Sequence, residues 1–356
     1  MNNIGVVAIG RNEGPRLREC LDSVVGQVRA VLYVDSGSTD NSIAVAQALG
    51  VEVVHLDTSI RFSAARARNA GFERLCQIAP QVELVQFVDG DCAIVPGWLQ
   101  AAAQQLADRP DLAVVCGRRR ERYPEASIYN TLINLEWNTP VGEAQACGGD
   151  ALMRVRAVAA IGGFNPDLIA GEEPELCDRL RLHAAGGKVL RLPNEMTRHD
   201  AAITRFGQWW RRQVRSGYGG LDVENRLRHG ARYFSREIWR ARIWGLFWPG
   251  AVIAAAAGAF LLGSCLMALT AAVVVLALWP FQMLRLVQVA RRLELRGRAA
   301  WAYGLLAMLA NWAQLQGQWN CLSDRWRGRR AGLIEYRIPP SPVSVNTAAP
   351  TSTNNP

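Results

Sequence analysis

Asp89, Gly90 and Asp91 close the apolar run at 82–88, so two carboxylates stand one residue apart where a buried strand should end. Such a pair can hold a hard divalent cation, which takes oxygen ligands, keeps waters and needs only one or two carboxylates. Asp and Gly are also ordinary turn residues, and that reading competes until the rest of the chain is considered. Asp35 and Asp57 likewise stand where apolar runs end. A second acidic group, "GEEPE", sets Glu172, Glu173 and Glu175 at the start of a helix pattern. Acids there either offset the helix dipole or supply a general base. Further polar candidates are Arg66, Arg68 and Asn69 in "ARARNAGF", Asp150 in "GGDAL", His199 in "RHD", and Arg211 and Arg212 in "QWWRRQVR".

The elements that must position these residues alternate. Apolar runs at 4–9, 30–35, 51–57 and 82–89 read as strands. The stretches from Pro15 to Val25 and across "STDNSIAVAQALG" and "SAARARNAGFERLCQIA" carry helical periodicity. Alternation of this kind predicts an α/β domain, a mostly parallel sheet with helices on both faces. Ligands of such sheets sit beyond the carboxyl ends of the strands, where the strand order switches. Two or more carboxylates at those ends then face one crevice.

Net charge is +9 and Lys188 is the only lysine. Arginine suits bidentate phosphate recognition, so the balance fits a phosphate-bearing ligand or an anionic membrane surface. The eight cysteines are scattered without a C-x-x-C pair, and the N-terminus shows no signal-peptide pattern. Both features predict free thiols in a reducing compartment.

Two runs, 243–263 and 264–284, each hold about the 20 apolar residues a membrane-crossing helix needs. Arg236, Arg240 and Arg242 precede them; Arg285, Arg291, Arg292, Arg296 and Arg298 follow. The charge rule predicts a transmembrane helical hairpin with both ends in the cytoplasm. A third run, 299–319, carries Asn311, Gln314, Gln316 and Gln318 and reads as a helix at the cytoplasmic interface. The expected organisation is a cytoplasmic catalytic domain at 1–235, the hairpin at 236–286, a basic helical segment at 287–338 and a disordered tail at 339–356.

The blocks "VDSGSTDNS", "ARARNAGF", "FVDGDC", "GGDALMRVRAVAAIGGFNPDL" and "GEEPELCDRLR", in this order over about the first 220 residues, resemble family 2 inverting glycosyltransferases. The membrane hairpin resembles bacterial members that extend lipid-linked or exported glycans. The resemblance implies a GT-A type fold and a metal-dependent inverting transfer from a nucleotide-diphosphate sugar. It implies that Asp91 binds Mg²⁺ or Mn²⁺ and that Asp89 faces the ribose or the metal shell, with His199 as a further metal ligand. Asp35, Arg68 and Asn69 would contact the nucleotide and Asp150 the donor sugar, while Arg211 and Arg212 would meet donor or acceptor phosphates. Glu173 falls where the family has its catalytic Asp, and Ser36 where it often has a second Asp. The expected partners are the donor, a lipid-linked glycan acceptor and membrane lipids, with no nucleic acid. The expected place is the bacterial inner membrane, with the domain facing the cytoplasm, in cell-surface or exopolysaccharide synthesis. The alternatives are a membrane-tethered nucleotidyltransferase and a non-enzymatic basic domain binding anionic lipid or nucleic acid.

Overall fold

The computed structural model describes residues 1–183, 187–227, 232–261 and 265–329. The first half follows the alternation in the sequence: β1 (Ile4–Gly10), α1 (Pro15–Asp22), β2 (Ala30–Asp35), α2 (Ser42–Ala48), β3 (Glu52–His55), α3 (Ala64–Ile78) and β4 (Leu84–Asp89). Strands β1, β2 and β4 are continuous apolar runs because helices cover both faces. Ser63 caps α3 by accepting the Arg66 N–H. Gly71 of α3 lies so close to Val7 and Val34 that a Cβ would overlap their side chains.

Then come β5 (Cys92–Ile94), α4 (Trp98–Asp108), β6 (Leu112–Glu121), α5 (Ile128–Glu136), β7 (Gly142–Ala144), β8 (Ala151–Arg154), α6 (Val155–Ala160), α7 (Glu172–Leu182), β9 (Lys188–His199) and α8 (Phe206–Glu224). The sheet runs β3-β2-β1-β4-β8-β6-β9-β5, with β7 also on β9. It is mixed, not mostly parallel as the sequence suggested. Strand β8 enters between β4 and β6 antiparallel to both, and β5 and β7 are antiparallel to β9. Because β6 and β9 are parallel to each other and opposed to β8, the ends of β4, β6 and β9 open on one edge. The order reverses at β1, where β2 lies on one side and β4 on the other; Gly10 pairs with Asp35 and Ile9 with Asp89.

The remaining chain is helical: α9 (Ser235–Arg242), a π-helical turn at Ile243–Phe247, α10 (Trp248–Leu261), α11 (Cys265–Arg292) and α12 (Gly297–Trp326). The expected transmembrane hairpin is not supported, since no helix among the described residues is long and apolar enough to cross a membrane. In the first run the π-helical turn takes five residues, leaving the 14 of α10. At 1.5 Å per residue those 14 span about 21 Å, against a hydrocarbon core of roughly 30 Å. The connection at 262–264 and the tail at 339–356 lie outside the described residues. Helices α10 and α11 pack on each other and present large apolar side chains outward, among them Ile253, Leu266 and Phe281.

The third run, expected at an interface, is docked along the α/β domain. Helix α12 crosses α8 where Gly217 and Gly317 remove every side chain from between the backbones: a Cβ on either would strike the other helix's backbone. Three of the amides that made this run look interfacial, Asn311, Gln314 and Gln318, are buried, and Gln316 stays exposed. Gln314 donates to Gln213 (3.1 Å), Gln318 accepts from Arg242 (3.0 Å) and donates to the Ile238 carbonyl (3.3 Å), and Gln316 accepts from the Trp210 indole (2.9 Å). Leu306 and Ala310 join Ile133, Ile203 and Trp209 in one apolar cluster, and Cys321 joins Ile169, Tyr218 and Leu221 in another.

The crossing is testable by overpacking. Gly317→Leu should lower stability by about 1–3 kcal/mol, the usual cost of forcing extra volume into a packed contact. Urea unfolding followed by circular dichroism would read it; an unchanged midpoint would show that α12 does not rest on α8.

Candidate active site

The edge onto which β1, β4, β6 and β9 open borders a cleft of about 570 Å³, closed on its other side by α7, α8 and the segment around Tyr233 and Phe234. At its centre is Arg68, 2% exposed. A buried guanidinium needs compensating charge, and three carboxylates from distant parts of the chain supply it. Arg68 lies 2.9 Å from Asp89, 2.6 Å from Glu172 and 3.2 Å from Glu173. Burial works against its charge, but Glu173, Asp89 and Glu172 outweigh that and push its pKa upward.

Arg119 makes a second cationic centre. It meets Asp89 at 3.1 Å and Asp150 at 2.8 Å, with Trp137 5.4 Å beneath its guanidinium. Burial would hold Asp89 protonated, yet Arg68 and Arg119 pull its pKa below the ordinary carboxylate value. Asp150 is fully buried and also accepts from the Thr197 hydroxyl (2.6 Å) and the Asp89 N–H (3.1 Å). Gly149, which lines the cleft beside it, has no room for a Cβ, since Arg68, Arg119 and Asp89 crowd it.

Sheet register sets the third group. Cys92 at the head of β5 pairs with His199 at the end of β9, so the preceding Asp91 comes to 3.3 Å from His199 Nε2. The ring of Trp137 packs edge-on against the imidazole at 4.6 Å. Burial opposes the imidazolium, but Asp91 and then Glu121 raise the His199 pKa above its ordinary value. A carboxylate and an imidazole nitrogen turned to one point fit Mg²⁺ or Mn²⁺. Cys92 Sγ is close enough to join them. Its thiol donates to Asp91 (3.4 Å), and burial pushes its pKa well up, so it stays protonated and is no ligand for a hard cation.

Helix α7 carries the acids. Gly171 adopts φ 80° at its N-cap and turns the chain so that Glu172 and Glu173 enter the cleft. Burial and the neighbouring Glu172 raise the Glu173 pKa to about 7, with Arg68 pulling the other way. Glu175 points elsewhere, into a two-pronged ion pair with Arg179 at 2.8 Å. From α8, Arg212 and Arg215 reach the cleft, Arg212 gripping Glu136 at 2.9 Å. On the same wall, Cys147 and Cys177 are both free thiols with their sulfurs 3.6 Å apart.

Of the site residues that the family resemblance implies, Arg68, Asp89, Asp91, Glu173, His199 and Arg212 line this cleft, and Asp150 lies directly behind it. Three do not line it. Asp35 accepts from the Gly37 and Ser38 N–H groups (3.0 Å each) and from the Tyr33 hydroxyl, so its carboxylate closes its own turn. Asn69 clamps the Phe164 backbone with two hydrogen bonds of 2.8 Å. Arg211 points outward into solvent. Asp89 lines the cleft, but each of its oxygens is held by an arginine, which leaves Asp91 and His199 as the better cation pair. Arg119, Glu121, Trp137 and Arg215 escaped the sequence reading.

The architecture is that of a GT-A type nucleotide-sugar transferase, an α/β fold on a mixed sheet with acids at the switch edge. Residues 6–157 match the family model described as Glycosyl transferase family 2. A pre-mycofactocin glycosyltransferase from Mycobacterium tuberculosis is 26% identical over 241 residues, which are 64% of this chain and 48% of the relative. The chain thus spans about half the length of that curated relative. The mannosyltransferase from Pyrobaculum calidifontis, solved with GDP-Man and Mn²⁺, superposes with a TM-score of 0.56 at 16% identity, covering 91% of this chain and 88% of that one. A glucosyl-3-phosphoglycerate synthase from M. tuberculosis, solved with Mn²⁺ and UDP-glucose, gives a TM-score of 0.48 at 18% identity over 63% of this chain and 79% of that one.

The charge cluster has a measurable signature. Arg68→Met removes the cation between Asp89, Glu172 and Glu173, and stranding buried charge in this way typically costs about 3–5 kcal/mol. The loss should be largest at pH 8, where the stranded carboxyls are ionised, and should shrink toward pH 5 as they take up protons. Urea unfolding at the two pH values checks this; an equal loss at both would mean that Arg68 acts by packing alone.

Proposed function

We propose that the chain transfers a sugar from a nucleotide-diphosphate donor to an acceptor hydroxyl with inversion, in a single displacement. The observation that carries this reading is Glu173: a carboxyl with its pKa raised to about 7 shares one cleft with the Asp91–His199 pair. An inverting transfer needs one base to take the acceptor proton as the oxygen attacks, and a base works best with a pKa near the operating pH. Glu173 would fill that role, with Arg68 and Glu172 fixing its place at the head of α7. Asp91 and His199 would hold a divalent cation, whose contribution when bound is to neutralise the charge of the departing diphosphate. Arg119 and Arg68 order the carboxylates behind it. Arg212 and Arg215 present positive charge on the acceptor side. The family match over residues 6–157 supports the donor class, and the bound GDP-Man and Mn²⁺ of the Pyrobaculum enzyme agree with it.

We further infer a membrane-borne acceptor such as a polyprenyl-diphosphate glycan, and a chain that works at the inner membrane of a bacterium with the cleft on the cytoplasmic side, in cell-surface or exopolysaccharide synthesis. What supports this is the outward apolar surface of α10 and α11, flanked by Arg236, Arg240, Arg291 and Arg292. Purified chain incubated with nucleotide sugars, Mn²⁺ and lipid extract should release nucleoside diphosphate and label a glycolipid. Release of pyrophosphate would overturn the reading in favour of nucleotidyl transfer.

Glu173→Gln keeps shape and removes the base, so turnover should fall ~10²–10⁴-fold with nucleotide affinity nearly unchanged. Glu173→Asp should retain more activity than Glu173→Gln. In the native chain kcat/KM should drop as pH falls below about 7, because protonation disables the base. The same raised pKa means that folding loses stability as pH rises from the ordinary 4.5 to about 7, so Glu173→Gln should be no less stable than wild type at pH 8. Full turnover of Glu173→Gln would remove the base from this position.

A further inference from the structure

His199 has a second carboxylate behind it. Strand β6 ends on Glu121, which pairs in register with His199 on β9, while Asp91 approaches from the head of β5. The imidazole therefore sits between two acids, its Nε2 3.3 Å from Asp91 and its Nδ1 3.7 Å from Glu121. Glu121 is 2% exposed and lies outside the cleft lining. Oε2 accepts from the Ala201 N–H at 3.0 Å; Oε1 accepts from the Tyr123 N–H at 3.1 Å and from the Asn130 amide at 3.4 Å. Among the described residues its side chain meets no arginine or lysine. A buried carboxylate held by neutral donors and turned to one imidazole nitrogen is a costly arrangement for packing alone.

Imidazole can bind a cation through Nε2 only when that nitrogen carries no proton, and the proton must then sit on Nδ1. An acceptor behind Nδ1 fixes this tautomer and the ring's direction; the 3.7 Å approach of Glu121 is longer than a hydrogen bond and would have to close to one when the cation binds. Trp137 packs edge-on against the ring at 4.6 Å. Resting on the reading that Asp91 and His199 hold a divalent cation, we propose that Glu121 is a positioning residue that keeps the Nδ1 proton of His199 and so leaves Nε2 free for the cation. The inference does not depend on which group the enzyme transfers.

Two measurements on the full chain test it. The first is Mn²⁺ affinity in the presence of nucleoside diphosphate, read from the electron paramagnetic resonance of free Mn²⁺. Glu121→Gln keeps an oxygen for the Tyr123 N–H but puts an N–H₂ where Oε2 faced Nδ1 and the Ala201 N–H, which favours the wrong tautomer. It should weaken Mn²⁺ binding by about 10–100-fold, while metal-free nucleotide binding stays as in wild type. In a His199→Ala background the same substitution should change Mn²⁺ affinity less than twofold. Wild-type Mn²⁺ affinity in Glu121→Gln overturns the proposal, and so does an equal loss in the His199→Ala background. The second measurement needs no variant of Glu121: ¹⁵N-histidine spectra of metal-free wild type at pH 9, with His199 assigned by its loss in His199→Ala. The Nδ1–H tautomer is expected; the Nε2–H tautomer overturns the proposal even if Glu121→Gln does not fold. Mn²⁺ binding without sugar transfer would leave Glu121 in this role and remove the transfer reading instead.

Discussion

A guanidinium out of reach of water must be matched by negative charge, and at Arg68 that requirement ties the molecule together. Its three carboxylates come from β4 and from the head of α7, elements far apart along the chain. Helix α7 cannot drift from the sheet without leaving ions unpaired in a low-dielectric interior, where each costs several kcal/mol. The charges continue outward in alternation: Asp89 is shared by Arg68 and Arg119, and Arg119 is shared by Asp89 and Asp150. Glu173 is the exception: burial and then the neighbouring Glu172 hold its proton, and Arg68, which serves two other acids more closely, offsets them only in part. The group proposed as the base is thus the least compensated acid of the cluster.

The same alternation explains why the cation pair lies beside this network rather than inside it. Asp89 is surrounded by positive charge, so a further cation there would meet two arginines. Asp91, two residues on, has turned past Gly90 into the range of a histidine. Gly90 lies against the Ile9 carbonyl at 3.2 Å from where a Cβ would sit, so the turn depends on a residue without one. Two carboxylates one residue apart thus have separate tasks, the first organising the arginines and the second facing the cleft.

Much of this was legible in the sequence. The first four strands are mainly apolar runs between turn residues, and Arg68, Asp89, Asp91 and the Glu172–Glu173 pair stood out in the blocks that carry the family likeness. Arg119 and Glu121 were hidden in "RRRERY", where a run of arginines masks the alternation of a strand; every second residue there turns inward. Trp137 had no local signal, because its partners Arg119 and His199 come from β6 and β9. Asp35 misled because its strand-end position was right, while its oxygens are taken by the two amides that follow it and the Tyr33 hydroxyl. The antiparallel β8 could not be read, since four residues carry no trace of direction. In α12 the amides signalled water, and the structure uses them between helices.

Helices that touch through side chains can slide, because rotamers yield before backbones do. The α8–α12 crossing has no such slack, since Gly217 and Gly317 leave main chain resting on main chain. One side of α8 bears Arg212 and Arg215 into the cleft, and the far side of α12 offers Trp319 and Trp326 to the surroundings. Between those indoles and the cleft wall, the closest approach is therefore main chain on main chain.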